Sequence, residues 1–231
     1  KTFNLLRDFL KWIQEMFSYS DSSGALKKSG TLMSRMVRDQ TILYNSEVYN
    51  LGIEQFDGNL NDILSMCKEN NIPVIISTLS SNLKDQSPFV SLESDKLPKA
   101  SDVYNEAVSK ISNTTEALKL FRYAKDLDGL RFRAPSKINE IIIAQAKKYN
   151  YPLVQIDSIF NSNSPQGITG NNLMTDHLHP TLSGYALMAK LFFTTIQQQN
   201  ILSQFPSLPL TAQQLDSATS ARFIFSRFDS L

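Results

Sequence analysis

The chain has very few of the residues that usually build disulfides and metal sites: one cysteine and two histidines in 231 residues. One cysteine, Cys67, excludes an intrachain disulfide and any zinc site made from cysteines. Cys67 lies at helical spacing from Ile63 and Leu64, which favours a buried thiol in the core. A disulfide-stabilised fold is therefore excluded.

An excess of charge of either sign is also lacking. Lys and Arg together number 23 and Asp and Glu 22, which leaves a net charge of +1. This balance gives no electrostatic basis for binding nucleic acid or an acidic membrane surface. No apolar run reaches the roughly 18 residues that a membrane-spanning helix needs. The first residue is Lys1 and no signal-peptide pattern follows it, from which we expect a processed or truncated product.

The hydrophobic pattern alternates between helical and strand-like segments. Apolar spacing predicts an amphipathic helix at residues 3–17 and a weaker one at 31–44. A third helix is predicted from a cap at Asp57 or Asn59 to Asn70 and Asn71. Two short β-branched runs, "IPVIISTL" (72–79) and "YPLVQIDSIF" (151–160), are typical of strands buried on both faces. A long loop follows the first run, and its length favours a functional role.

Further helices are predicted around this strand pair. Helical patterns cover about residues 101–125, with Ala117, Leu118, Phe121 and Ala124 on one face, and a further helix begins at Ser136 as its cap. Thr211 is a plausible cap for a last helix in the C-terminal tail. Helices that alternate with short apolar strands predict an α/β domain with a parallel sheet covered by helices, in three layers.

Both histidines lie in the segment "NNLMTDHLHPTLSGYALMAKL" (171–191), after the second predicted strand. Sites in open α/β sheets form beyond the carboxyl ends of the strands. The Asp176 carboxylate can reach the His179 ring, fix its tautomer, and leave the other nitrogen to accept a proton from a hydroxyl nucleophile. The helix after Pro180 is predicted to anchor this turn through Leu182, Tyr185, Met188, Leu191 and Phe192. Two alternatives stay open: histidines that only cap a helix, and a metal site using His177, His179 and Asp176.

The block "TDHLHPTLSGYALMA" resembles the last sequence block of the SGNH (GDSL-like) hydrolase family. "IPVIISTLSSNLKDQSPF", "LRFRAPSKIN" and "SPQGITG" extend the resemblance over most of residues 45–195. The resemblance implies a three-layer α/β/α, flavodoxin-like fold and a Ser-His-Asp triad. It makes Asp176 the orienting carboxylate and His179 the base, and leaves His177 at a free position. It implies no metal and no organic cofactor.

The chain differs from the family pattern at the nucleophile, because it contains no Gly-Asp-Ser block. The resemblance therefore implies that residues 1–205 are the C-terminal part of such a domain, with the N-terminal strands missing, and that residues 206–231 are an appended helix. The partners expected are the missing N-terminal half of the domain and a small-molecule or carbohydrate ester. The alternative is a non-catalytic module of the same shape that binds a protein or a carbohydrate.

Two further residues are candidates for substrate binding. Asn82 in "SSNLKD" is expected to line the substrate side, and the alternative is an asparagine that stabilises its own loop. Arg131 and Arg133 in "LRFRAP" could bind an anionic group of the substrate, with Arg133 the candidate retained. The alternative for both arginines is a salt bridge within the loops.

Overall fold

The structure, a computed structural model, describes residues 40–201 and, beyond them, residues 211, 213, 214, 217 and 218. The described residues from Ile42 onward belong to one compact unit, Ile42–Leu231. The predicted helix at 3–17 and most of the one at 31–44 lie outside the described residues. Residues 40–44, the described end of the latter, are not helical.

The unit is a mixed α/β structure, mostly helical, with a small parallel sheet of two strands. Within residues 40–201 its elements are α1 (Glu47–Glu69), β1 (Ile76–Ser77), α2 (Ala100–Ser109), α3 (Thr114–Leu127), α4 (Ser136–Tyr149), β2 (Leu153–Val154), α5 (Ile156–Ser162), a 3-10 turn (Pro165–Gly167) and α6 (Leu182–Gln198). Helix α4 packs on β1 and α6 packs on β2. No helix among the residues described is both long and apolar enough to cross a bilayer.

Both strands are much shorter than the sequence predicts. Only Ile76 and Ser77 pair with Leu153 and Val154. Beyond β1, the side chain of Asn139 accepts a hydrogen bond from the Leu79 N–H and donates one to the Leu79 carbonyl, both at 2.8 Å. The backbone N–H and carbonyl of Leu79 are thus hydrogen bonded to a side chain of α4 and not to a neighbouring strand. One side-chain amide can replace both of the hydrogen bonds that a strand would make.

The chain after β2 also leaves the sheet at once. Helix α5 begins at Ile156, so the predicted strand over 151–160 is mostly wrong. The Asp157 N–H donates to the Thr78 hydroxyl at 3.1 Å and ties the start of α5 to the end of β1. Ile76 and Ser77 are half-buried, so the prediction of a strand buried on both faces is also wrong.

Helix boundaries follow from local caps. Helix α1 begins eleven or more residues before the predicted caps, because Ser46 accepts a hydrogen bond from the Tyr49 N–H. Its predicted end is confirmed: Asn70 is the C-cap and Asn71 has a φ of 54°. The helical patterns predicted over 101–125 form two helices, because Asn113 caps α3 through the Glu116 N–H.

Ser136 is not a cap. It is the first residue of α4, and its N–H donates instead to Oδ1 of Asp126 at 2.8 Å. The capping group is therefore supplied by a residue of the preceding helix. Thr211 does form the predicted cap: the Gln214 N–H donates to the Thr211 hydroxyl, and the Thr211 N–H donates to the Gln214 amide oxygen. This reciprocal pair is a capping box.

The buried apolar residues form three clusters. The predicted face of α3 is confirmed, with Ala117, Phe121 and Ala124 buried and Leu118 packed against them. A cluster under the candidate site joins β2 and α5 to α6 through Phe160, Met174, Met188, Leu191 and Phe192. Leu182 and Tyr185, predicted to face this core, are 44% and 53% exposed.

The buried Tyr49 gives a prediction about alkaline pH. Burial, together with the nearby Asp126 carboxylate, raises the pKa of Tyr49 to about 12. A tyrosine in an unfolded chain has a pKa of about 10. Between these two pH values the unfolded chain loses a proton that the native protein keeps. The free energy of unfolding therefore has its full value below a pH of about 10 and falls as the pH rises toward about 12.

We expect Tyr49→Phe, which keeps the ring over Arg131, to flatten this alkaline loss of stability. The free energy of unfolding, measured in urea at a series of pH values from neutral to strongly alkaline, checks it. Parallel curves for the wild type and the variant would contradict the assignment.

Candidate functional site

The two histidines lie in a tight turn that closes on itself. We call residues 174–180 the histidine turn: Met174 and Pro180 form an isolated antiparallel bridge at its base. The Thr175 N–H and hydroxyl both donate to the His179 carbonyl, at 2.8 and 3.0 Å. The backbone of His179 is therefore fixed by the turn itself.

Helix α6 anchors the turn at its C-terminal side, as predicted. Thr181 caps the helix by accepting a hydrogen bond from the Gly184 N–H, and its own N–H donates to the Leu173 carbonyl. A Cβ at position 184 would lie 2.4 Å from the Leu173 carbonyl oxygen. Only glycine permits this close approach of the helix to the segment that leads into the turn.

Asp176 holds His179 with both of its carboxylate oxygens. Oδ1 accepts hydrogen bonds from the backbone N–H groups of Leu178 and His179, each at 2.8 Å. Oδ2 lies 2.7 Å from Nδ1 of the His179 ring. The contact predicted from the sequence is therefore present, at the distance expected of a hydrogen bond.

This contact determines the tautomer of His179. A carboxylate only accepts, so Nδ1 carries the proton and Nε2 of the neutral ring has a free lone pair. Burial acts to raise the pKa of Asp176, but the hydrogen bonds from Leu178 and His179 outweigh it and the pKa is lowered. The side chain of His179 is 60% exposed. The pair thus presents a basic nitrogen whose ring orientation is fixed.

His177 has a different environment. Its Nε2 donates to the Ser87 carbonyl at 3.1 Å, and its ring stacks on Phe89 with centroids 3.7 Å apart. Burial lowers the pKa of His177, although the Ser87 carbonyl opposes this. His177 therefore fastens the long loop between β1 and α2 to the histidine turn.

The two imidazoles have different partners, since Nδ1 of His179 is bonded to Asp176 and Nε2 of His177 to the Ser87 carbonyl. Within the part of the chain that the structure describes, no three His, Cys, Asp or Glu side chains are grouped so that they could hold a metal ion. The geometry thus gives no support to a metal site at this turn.

Asn82 lies beside the histidine turn but has no exposed surface. Its amide nitrogen donates to the Asn171 side chain at 2.8 Å, and its amide oxygen accepts from the Asp85 N–H at 3.0 Å. Its backbone N–H donates to the His177 carbonyl at 3.0 Å. These are the contacts of an asparagine that organises its own loop, and they link that loop to the turn.

Arg133 is buried, and its guanidinium makes a salt bridge with Asp128 at 3.2 Å. It also donates to the carbonyls of Asn82 and Gln86, at 2.9 and 3.1 Å. Both side chains of the ion pair are only 2% exposed. The structure therefore places Arg133 in the salt bridge that was the alternative to substrate binding.

Arg131, in contrast, has no carboxylate partner among the described residues. Its guanidinium lies 4.9 Å from the centre of the Tyr49 ring. It donates to the carbonyls of Asp126 and Ile42, at 2.5 and 2.8 Å. The alternative of a salt bridge is therefore not found for Arg131 among the described residues, where its guanidinium contacts carbonyl groups and an aromatic face.

Asp128 is the important residue that the sequence analysis did not identify. Its carboxylate accepts hydrogen bonds from the backbone of Phe89, Val90 and Leu130, at 2.9, 2.9 and 3.2 Å. An Asp-Gly step, here Asp128-Gly129, is a turn signal, and Arg133 follows shortly after it. That signal indicates a turn but gives no indication that the aspartate reaches the distant segment at Phe89.

No protein-family model, no curated protein and no solved structure matches this chain. The function is therefore inferred from the site residues themselves.

The histidine contacts predict opposite tautomers for the only two imidazoles in the chain. In the neutral form of each ring, His179 carries its proton on Nδ1 and His177 on Nε2. Long-range ¹H–¹⁵N NMR correlations distinguish the two nitrogens of each ring. The Asp176→Asn variant should change the His179 pattern and leave that of His177 in place. An Nε2-protonated His179 in the wild type would show that Asp176 does not hold the ring.

The buried ion pair predicts a large loss of stability for Asp128→Asn. The substitution leaves Arg133 buried without a counter-charge, which typically costs about 3 to 5 kcal/mol. The matched control is Glu140→Gln, which removes the exposed Lys137–Glu140 pair and should cost far less, because water solvates both charges in the native protein. Urea unfolding of both variants measures the difference. Equal losses would mean that the buried pair does not stabilise the loop.

Proposed function

We propose that Asp176 and His179 are the acid and base of a Ser-His-Asp triad in an ester hydrolase of the SGNH type, acting on a small-molecule or carbohydrate ester. The observation that carries the proposal is the 2.7 Å contact between Asp176 and Nδ1 of an exposed His179. Orientation of an imidazole by a carboxylate, with the second nitrogen accessible, is what a hydroxyl nucleophile needs from its base.

The chemistry follows from this geometry. His179 takes the proton of a serine hydroxyl through Nε2 as the serine attacks the ester carbonyl. The imidazolium that forms is stabilised by the Asp176 carboxylate, and it then returns the proton to the leaving alcohol. Water repeats the same steps on the acyl-enzyme. The reaction needs no metal and no organic cofactor.

We further propose that the described residues are part of a three-layer α/β/α, flavodoxin-like domain. The two strands are parallel, and three helices lie between them in the chain. Parallel neighbours need such a crossover, and parallel sheets are generally covered by helices on both faces. The packing of α4 on β1 and of α6 on β2 is in agreement with this arrangement.

In this proposal the serine and the oxyanion donors come from outside this chain. Within residues 40–201 no hydroxyl is hydrogen bonded to Nε2 of His179. Ser164, the nearest serine before the turn, donates to the Phe160 carbonyl and accepts from the Asn172 side chain. Ser183 lies in the first turn of α6, on the same segment as the base. Neither is held in the contact that activates a nucleophile.

The second candidate is a non-catalytic module that binds a protein or carbohydrate partner through the same surface. It is favoured by the observation just made, that His179 has no hydroxyl partner among the described residues. The two candidates differ in whether the gene product that carries this chain turns over esters through His179.

Substitutions in the gene product that carries this chain test the proposal with a short-chain nitrophenyl ester. His179→Ala should lower kcat by several orders of magnitude, because the serine loses its proton acceptor. Asp176→Asn should lower it on the order of 10³- to 10⁴-fold, since the imidazole takes the wrong tautomer. His177→Ala is the matched control and should stay within about tenfold.

A larger loss in His177→Ala than in His179→Ala would show that the base is the other histidine. No turnover in the wild-type gene product would favour the binding module. Residues 1–231 expressed alone should be inactive, because loss of the nucleophile costs on the order of a million-fold in such triads. Turnover by that fragment that disappears in His179→Ala would place the nucleophile within this sequence.

A further inference from the structure

Beside the histidine turn lie two large aromatic side chains that are not buried. Phe89 is 47% exposed and Phe132 is 37% exposed. Their ring centroids are 5.7 Å apart, with the planes at 62° to each other. The ring of His177 stacks on Phe89 at an angle of 21°. We call Phe89, Phe132 and His177 the aromatic ledge.

Hydrogen bonds fix the backbone that carries the two phenylalanines of the aromatic ledge. The Asp128 carboxylate accepts the backbone N–H groups of Phe89 and Leu130, and the Phe132 N–H donates to the Leu130 carbonyl at 2.8 Å. The segments that carry both phenylalanines are thus fixed by one carboxylate, which is itself paired with buried Arg133. Rings that are ordered before a ligand arrives lose little entropy when they bind it.

The ledge also adjoins the candidate catalytic pair. His177 is separated from His179 by one residue, and the histidine turn fixes the backbone of both. The Asn82 N–H donates to the His177 carbonyl, which holds the start of the long loop against the same turn. The turn that carries His179 therefore also carries one ring of the aromatic ledge, His177, which stacks on Phe89.

We propose that the aromatic ledge binds a ring-shaped group of the ester, an aryl ring or the C–H face of a sugar, next to the carbonyl on which His179 acts. This inference deepens the proposed function and rests on it. His177 stacks on Phe89, and Phe89 nevertheless keeps nearly half of its surface exposed, which leaves area for a further ring. A flat group can stack there while Phe132, inclined at 62°, contacts its rim, an arrangement that aromatic groups favour.

The first experiment measures binding without catalysis. The His179→Ala variant of the gene product that carries this chain is titrated with 2-naphthol in one arm and methyl β-xyloside in the other. The imidazole signals of His177, the only histidine left in this chain, are followed by NMR. We expect saturable shifts with at least one probe, and the probe that binds identifies the aryl or the sugar source.

Phe89→Ala, added to this variant, should weaken that binding about tenfold, because it removes the stacking face. Phe89→Leu keeps an apolar side chain and should weaken it nearly as much if stacking is responsible. Leu51→Ala removes a residue of α1 that is 57% exposed and should leave binding unchanged. Melting temperatures of all variants confirm that each is folded. Binding that is equal in Phe89→Ala, or absent with both probes, would overturn the proposal.

The second experiment uses turnover and separates the two proposals. In the gene product with His179 intact, the ratio of kcat/KM for 2-naphthyl acetate to that for ethyl acetate should fall about tenfold in Phe89→Ala, mainly through KM for the aryl ester. An unchanged ratio, with esters still hydrolysed, would overturn the ledge as an aryl site and leave the hydrolase in place. Ring binding without turnover of any ester would support the ledge and overturn the hydrolase.

Discussion

The buried ion pair between Asp128 and Arg133 is the contact on which the long loop between β1 and α2 depends. The loop, all of which the structure describes, contains no helix or strand, and its backbone bonds to distant residues such as His177 and Thr169. Asp128 satisfies the backbone of Phe89 and Val90, and Arg133 satisfies the carbonyls of Asn82 and Gln86. Burial lowers the pKa of Arg133 and the Asp128 charge opposes this, so each group makes the burial of the other tolerable. A buried pair of this kind stabilises less than its Coulomb energy suggests, but it fixes one conformation of the chain around it.

The histidine turn is held by contacts between residues close in sequence, whereas the long loop beside it is held by contacts between distant residues. Asp176 bonds to its own neighbours at Leu178 and His179, and the Thr175 N–H closes the turn on the His179 carbonyl. The orientation of His179 therefore follows from a few consecutive residues and from the cap of α6. The loop contributes a second layer, in which His177 is bonded to Ser87 and stacked on Phe89. Two histidines separated by one residue thus have separate partners: His179 is bonded to Asp176, and His177 contacts the loop.

These two kinds of structure explain what the sequence could predict. The Asp176–His179 contact, the cap at Thr211 and the buried face of α3 all depend on residues close in sequence, and the sequence predicts all three. The strand lengths were not predicted, because Leu79 bonds to Asn139 and Asp157 bonds to Thr78 across long stretches of chain. The role of Asp128 was not predicted either, because it depends on a hydrogen bond from the backbone of Phe89, which is distant in sequence. A hydrophobic pattern describes which side chains are buried, and it contains no information about which distant polar group satisfies a backbone amide.

The central claim is that His179, oriented by Asp176, activates a serine. A labelled fluorophosphonate tests it most directly, because this probe reacts with a serine only when a base and an oxyanion site activate it. The gene product that carries this chain is treated with the probe, and the labelled peptide is identified by mass spectrometry. The account predicts one labelled serine outside residues 1–231, with labelling lost in His179→Ala and retained in His177→Ala. A folded gene product that is not labelled, or one labelled equally well in His179→Ala, would contradict it.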